Sequence, residues 1–247
     1  MIRTRLLAAL AAVAVVAGCG GGSGATKPDA KAASKAAGGS STTPTTAPLT
    51  TAPAAPPSPE RMRSVLLTVS DMPPGWAAGL GANDGEDSTT NTDDFVCPGA
   101  KEKFPQEFSH SADAGLDATF NKSQFGPFVI EALAAFDDTQ ATFSQAEAAL
   151  RSCAGQHWDQ TDPDGTKTSF TLNEVSTADR GDDHFAYRLS GTSDGAAMTI
   201  DLVFVRDGPV VALVAGIGIT SMFGNGQLDA AEFEKILDAV ATKLAKV

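Results

Sequence analysis

The sequence predicts an α+β domain over 59–247, an antiparallel sheet of about six strands packed with about three α-helices. Two observations predict it. Segments with apolar residues at helical spacing stand at the start, middle and end of this region, and period-two apolar runs fill the intervals. The last two runs are joined by Asp207-Gly208, a strong hairpin signal. No internal repeat is visible, and the region is long enough for one domain with its own core.

The first helix opens at Ser58-Pro59, an N-cap residue followed by proline at the first helical position. Met62, Val65, Leu66 and Val69 continue it at helical spacing, and Asp71-Met72-Pro73-Pro74-Gly75 ends it before Trp76. Gly79 to Asp94 reads as a polar loop. A second helix is predicted over Thr139 to Cys153, with Phe143, Ala146, Leu150 and Cys153 on one face. Strands are predicted at Leu116 to Lys122, Phe128 to Phe136, Thr168 to Val175 and His184 to Ser190. Met198, Ile200, Leu202 and Phe204 alternate in the first arm of the closing hairpin, and Val210 to Ile219 forms the second. The last helix starts near Asp229. Glu232 three residues later makes the pair a capping box ahead of Phe233, Ile236, Leu237, Val240 and Leu244.

Ahead of this domain, Arg3 and Arg5 precede an apolar run from Leu6 to Val16, too short for the roughly 20 residues a bilayer span needs. A charged start, a short apolar stretch and a small-residue exit describe a secretory signal over 1–18. Val16-Ala17-Gly18-Cys19 resembles the lipobox of bacterial lipoproteins, with valine where leucine is commoner. That resemblance implies a diacylglyceryl group on the Cys19 thiol, and Cys19 as the new N-terminus. Two acyl chains on one residue hold a protein stably at a membrane. From Cys19 to Ser58 the chain is rich in Gly, Ser, Thr, Pro and Ala. This composition cannot offset its ordering entropy, so it reads as a disordered tether with a reach of roughly 35 Å. Its Thr/Pro cluster also suits an O-glycosylated stalk.

Three cysteines in an exported chain leave one over. With Cys19 assigned to the anchor, Cys97 and Cys153 remain to pair in an oxidising compartment. A reactive thiol needs an electropositive setting, whereas Asp93 and Asp94 precede Cys97. The net charge of −12 and the lack of a basic stripe exclude nucleic acid as a partner.

The phrases LLTVSDMPPGW and RSCAGQHW, the antiparallel meander and the closing amphipathic helix resemble actinobacterial cell-envelope lipoproteins. They are similar, less closely, to the extracellular sensor domains of mycobacterial receptor serine/threonine kinases. The resemblance implies extracytoplasmic sensing or binding and brings no catalytic residues. Those sensor domains carry two disulfides, and this domain has cysteines for one.

Three strings imitate catalytic or metal motifs. Gly191-Thr192-Ser193-Asp194-Gly195 fits the nucleophile pattern G-x-S-x-G, which needs a following helix and a later histidine. Here a strand follows, and His110, His157 and His184 all precede Ser193. Gly224 to Phe233 looks like half of an EF-hand loop, yet its third ligand position is Phe223, which offers no oxygen. Capping by Asp229 and Glu232 accounts for the same residues without a metal. The acidic stretch Asp159 to Gly165 has no closing glutamate and reads as a solvated turn. His157, beside Trp158, has no partner at ligand spacing.

The chain has 13 Phe against 2 Trp and 1 Tyr. Aromatics without a polar handle disfavour a sugar site and leave an apolar ligand or a phenylalanine-rich core. The sequence therefore reads as a lipid-anchored protein at the outer side of the cell membrane. Its domain binds or senses a small apolar ligand or an envelope protein, without enzyme activity, cofactor or metal. The runner-up is a structural or docking lipoprotein, and a hydrolase is the weaker third reading.

Overall fold

The stretch Val210-Val211-Ala212-Leu213-Val214-Ala215-Gly216 has no polar side chain, and a strand of this composition must be covered on both faces. The computed structural model, which describes residues 56–79, 96–105, 116–161, 165–193, 195–222 and 224–247, places it at the centre of the sheet with all seven residues buried. In chain order the elements are α1 (Pro59–Arg63), β1 (Ala77–Ala78), β2 (Asp117–Asn121), β3 (Phe128–Ala135), α2 (Thr139–Cys153), β4 (His157–Thr161) and β5 (Lys167–Glu174). There follow β6 (Asp183–Ser193), β7 (Ala196–Asp207), β8 (Val210–Ser221), β9 (Gly224–Gly226) and α3 (Ala230–Leu244). The strands form one antiparallel sheet in the order β1-β2-β3-β8-β7-β6-β5-β4, and β9 pairs with β8.

Side-chain alternation sorts the strand residues into two cores. On one face Ile200, Leu202 and Phe204 of β7 and Leu213 of β8 pack with Phe143 and Leu150 of α2. The segment carrying Val96, Ala100 and Phe104 closes this core, and a Cys97–Cys153 disulfide ties it to the end of α2. Both half-cystines are buried. On the other face Val129 and Leu133 of β3 and Val210, Ala212 and Val214 of β8 meet Phe233, Ile236, Leu237 and Val240 of α3. Gly216 lets this helix come close, because a Cβ there would run into Leu228 and Phe233. Met62, Val65, Leu67, Met72 and Trp76, from the segment that leads into the domain, complete the second core.

The structure corrects the sequence expectations at three places in the fold. The sheet has nine strands where about six were expected. Two of the extra strands, β1 and β9, span two and three residues, too few to show a period. The third, β4, is an edge strand exposed at four of its five positions, so it lacks the apolar alternation by which strands are recognised. The first helix ends at Arg63 instead of continuing to Val69. Beyond it the amides of Leu67 and Thr68 are taken by the carboxylates of Glu131 and Asp71, so the helical pattern gives way to an extended stretch and a short 3₁₀ turn at Val69–Asp71. The turn of the closing hairpin lies one residue later than expected. Asp207 pairs with Val210, while Gly208, at φ 54°, and Pro209 make the connection.

The polar loop expected from Gly79 to Asp94 lies, after Gly79, outside the described residues. Cys19, the expected signal and most of the expected tether lie outside them too. No helix among the described residues is long and apolar enough to cross a membrane.

The disulfide closes a sequence separation of 56 residues. Its reduction is expected to lower stability by about 4 kcal/mol on the loop-entropy estimate, measured as a shift in the urea midpoint. Non-reducing peptide mapping of protein recovered from cells should show the Cys97–Cys153 peptide, and free thiols at both positions would contradict the assignment.

Candidate functional site

Among the described residues, helix α3 and the lead-in segment cover only part of their face of the sheet. Directly opposed residues on antiparallel strands share a face, and this places hydroxyls in rows across β5, β6 and β7. Thr171 opposes Ser190, which opposes Thr199, and Ser169 opposes Thr192 in the next row. Arg188 and Asp201 form the rung beyond, joined by Nε–Oδ1 and Nη2–Oδ2 bonds of 2.6 and 3.0 Å. On the edge strand, His157 Nδ1 faces Thr171 Oγ1 at 3.3 Å, and Asp159 accepts a 2.7 Å bond from Ser169 Oγ. Ser190 and Thr192 are exposed, whereas Ser169, Thr171 and Thr199 are half-buried. With strands about 4.8 Å apart, this is an in-register grid of hydrogen-bonding groups.

At the end of the grid the β6–β7 turn borders an open cleft of about 520 Å³, lined by Lys167, Thr192, Ser193, Gly195, Thr220 and Ser221. The described residues of the nucleophile-like string, Gly191 to Ser193 and Gly195, thus end β6 and lead into β7. Ser193 Oγ donates to the Lys167 carbonyl at 3.0 Å. His184 stands at the other end of β6, roughly 30 Å away at the usual rise per residue. Asp194 and His110 lie outside the described residues. Among the described residues the cleft offers hydroxyls and one ammonium, with no histidine or carboxylate in its lining to activate Ser193.

The EF-hand lookalike resolves into a strand and a helix cap, and Phe223 lies outside the described residues. Strand β8 occupies the position of the incoming helix, and Gly224–Gly226 pairs back onto it as β9. Asp229 accepts the amide of Glu232 at 2.9 Å. The reciprocal half of the expected capping box is not made, because the Glu232 carboxylate binds Lys122 Nζ at 2.7 and 2.5 Å. Lys122 also lies 5.7 Å from the centroid of the Trp76 ring, so the same carboxylate helps position a residue that closes the second core. Of the acidic stretch Asp159 to Gly165, 162–164 lie outside the described residues. Among the described residues no group of three or more His, Cys, Asp or Glu could hold a metal ion.

Sequence reasoning missed two buried charges. Arg180, with a side chain 4% exposed, bonds Glu234 Oε2 at 2.6 Å and Asp238 Oδ1 at 2.8 Å, fastening the loop before β6 to α3. Glu131 on β3 is fully buried, and its Oε2 accepts the Leu67 amide at 2.6 Å. Burial pushes this carboxyl up to about 7. A lone acid inside the apolar run FVIEALAAF was the available signal for it.

No family model and no curated protein matches this chain. Among solved structures, the extracellular domain of PknH from Mycobacterium tuberculosis is similar, with a TM-score of 0.46 and 13% identity, covering 78% of this chain and 98% of that one. An uncharacterized protein from Rhizobium leguminosarum is similar with a TM-score of 0.27 and 12% identity, covering 53% of this chain and 96% of its own.

Asp229→Ala should cost about 1 kcal/mol through loss of the cap, equally with millimolar calcium and with chelator in thermal melts. A calcium-dependent rise in the melting temperature of the parent alone would mean that these residues bind the ion.

Proposed function

We propose that this chain is a lipid-anchored protein of the outer membrane face, non-enzymatic, whose tethered domain binds an envelope protein through the grid of β5, β6 and β7. The observation that carries the reading is the grid itself, an in-register polar face with Ser190 and Thr192 exposed. In-register hydroxyls spread over three strands suit an extended protein surface better than a small molecule, which needs a concave, mostly apolar pocket. Phe104, Phe136, Phe143, Phe170, Phe185 and Phe204, the residues that could line such a pocket, pack in the α2 core. Location rests on Cys19 in its lipobox setting and on the buried Cys97–Cys153 bridge, which suits an oxidising compartment.

Two experiments test the parts separately. Cys19→Ser removes the acyl acceptor and should move the domain from the membrane to the soluble fraction. A domain that stays on the membrane after this change refutes the anchor. Ser190→Arg places a large charge on the grid at an exposed position. It should leave the urea midpoint within about 0.5 kcal/mol of the parent and abolish cell-surface crosslinks formed by the parent. Unchanged crosslinks would direct the search to another face.

A further inference from the structure

We propose that Glu131 and the segment Leu66–Asp71 form a proton-responsive latch, in which protonation of the buried carboxyl tightens the domain's hold on its lead-in segment and ionisation loosens it. The latch needs neither the lipid anchor nor the polar grid.

The geometry is that of a clamp with one defect. Glu131 Oε2 receives the Leu67 amide, while Oε1, also buried, has no hydrogen-bond partner among the described residues. From α3, Lys243 Nζ reaches the Leu66 carbonyl at 2.5 Å and Asp71 Oδ2 at 2.7 Å. Asp71 also accepts the Thr68 amide and hydroxyl at 2.8 and 2.7 Å. Strand and helix thus grip consecutive backbone groups of the lead-in segment from two sides. The charged groups facing Glu131 are Lys243, whose ammonium favours its ionisation, and Asp71, which opposes it. Its neighbours across the sheet, Ala118 on β2 and Val214 on β8, carry no charge.

An ionised Glu131 leaves an unpartnered anionic oxygen in an apolar core, which is costly. A protonated one keeps the Leu67 bond and carries a neutral O–H in its place. Burial is the largest influence; it outweighs both the Leu67 amide bond and the Lys243 ammonium, which favour the ionised form, and holds the carboxyl at about 7 against an ordinary 4.5. Because the closed state binds the proton more tightly than the open state, the latch is at full strength below about 4.5 and weakens as pH rises through about 7. Asp71 behaves in the opposite sense. Burial opposes its ionisation, but Lys243 and Thr68 outweigh burial and hold its carboxyl below the usual range, so it stays charged throughout this window.

The test is amide exchange at Leu67 in the intact mature chain between pH 5 and pH 8, normalised to the intrinsic rate at each pH. In the parent, protection should fall on the order of a hundredfold across this range, the change expected when opening returns a carboxyl from about 7 to 4.5. Glu131→Gln, isosteric and neutral, should abolish the slope. Flat protection in the parent, or the same slope in the variant, overturns the latch. Should the variant fail to fold, carbon-13 titration of the Glu131 carboxyl in the parent decides. A midpoint near 7 is expected, and one near 4.5 overturns the proposal.

Discussion

Strand β8 is buried on both faces from Val210 to Gly216, and this obliges the sheet to be covered twice. One cover is α2, held down by the segment that ends in Phe104 and pinned to it by the disulfide. The other is built from two pieces far apart in sequence, α3 at the C-terminus and the lead-in segment at the start of the domain. Arg180 and Lys243 join loop and lead-in segment to α3, and Lys122 joins the end of β2 to its first turn. The polar grid lies beyond the reach of this second cover. The buried acid Glu131 sits where its two pieces meet.

Both long helices were legible in the sequence because local signals and packing agree. Asp138 and Asp229 cap them, and their apolar residues recur at helical spacing against a sheet face. The strands β2, β3, β5, β6, β7 and β8 were legible for the same reason, since each has one or two buried faces and therefore a pattern. Edge strand β4 was not, because His157, Asp159 and Gln160 are those of a solvated strand whose pairing is decided by β5. The lead-in segment was misread because Met62, Val65 and Leu66 satisfy a helical period, whereas Val65 and Leu67 are the buried pair and Leu66 between them is only half-buried, the alternation of an extended chain. The tertiary hydrogen bond that Leu67 donates to Glu131, with the local one from Thr68 to Asp71, overrides that helical preference.

In their described residues, two of the motifs that imitate chemistry belong to ordinary structure. Ser193 is spent on a hairpin bond to Lys167, and Asp229 on a helix cap. What could not be read from the sequence is the grid, because Ser169, Thr171, Ser190, Thr192 and Thr199 come from three strands and are aligned only by strand register. Single hydroxyls on solvent-facing strand positions carry no signal of their own. Strand pairing turns them into a surface.

The most direct test of this architecture is whether the lead-in segment is a structural cover or dispensable to the fold. Urea unfolding of the full chain should be compared with that of the same chain lacking residues 59–76. Met62, Val65, Leu67, Met72 and Trp76 are each less than 9% exposed, and burying side chains of this size contributes about 1.5–3 kcal/mol apiece. The shortened chain should therefore be unfolded, or destabilised by more than about 5 kcal/mol. An unchanged midpoint would contradict a second core that depends on this segment.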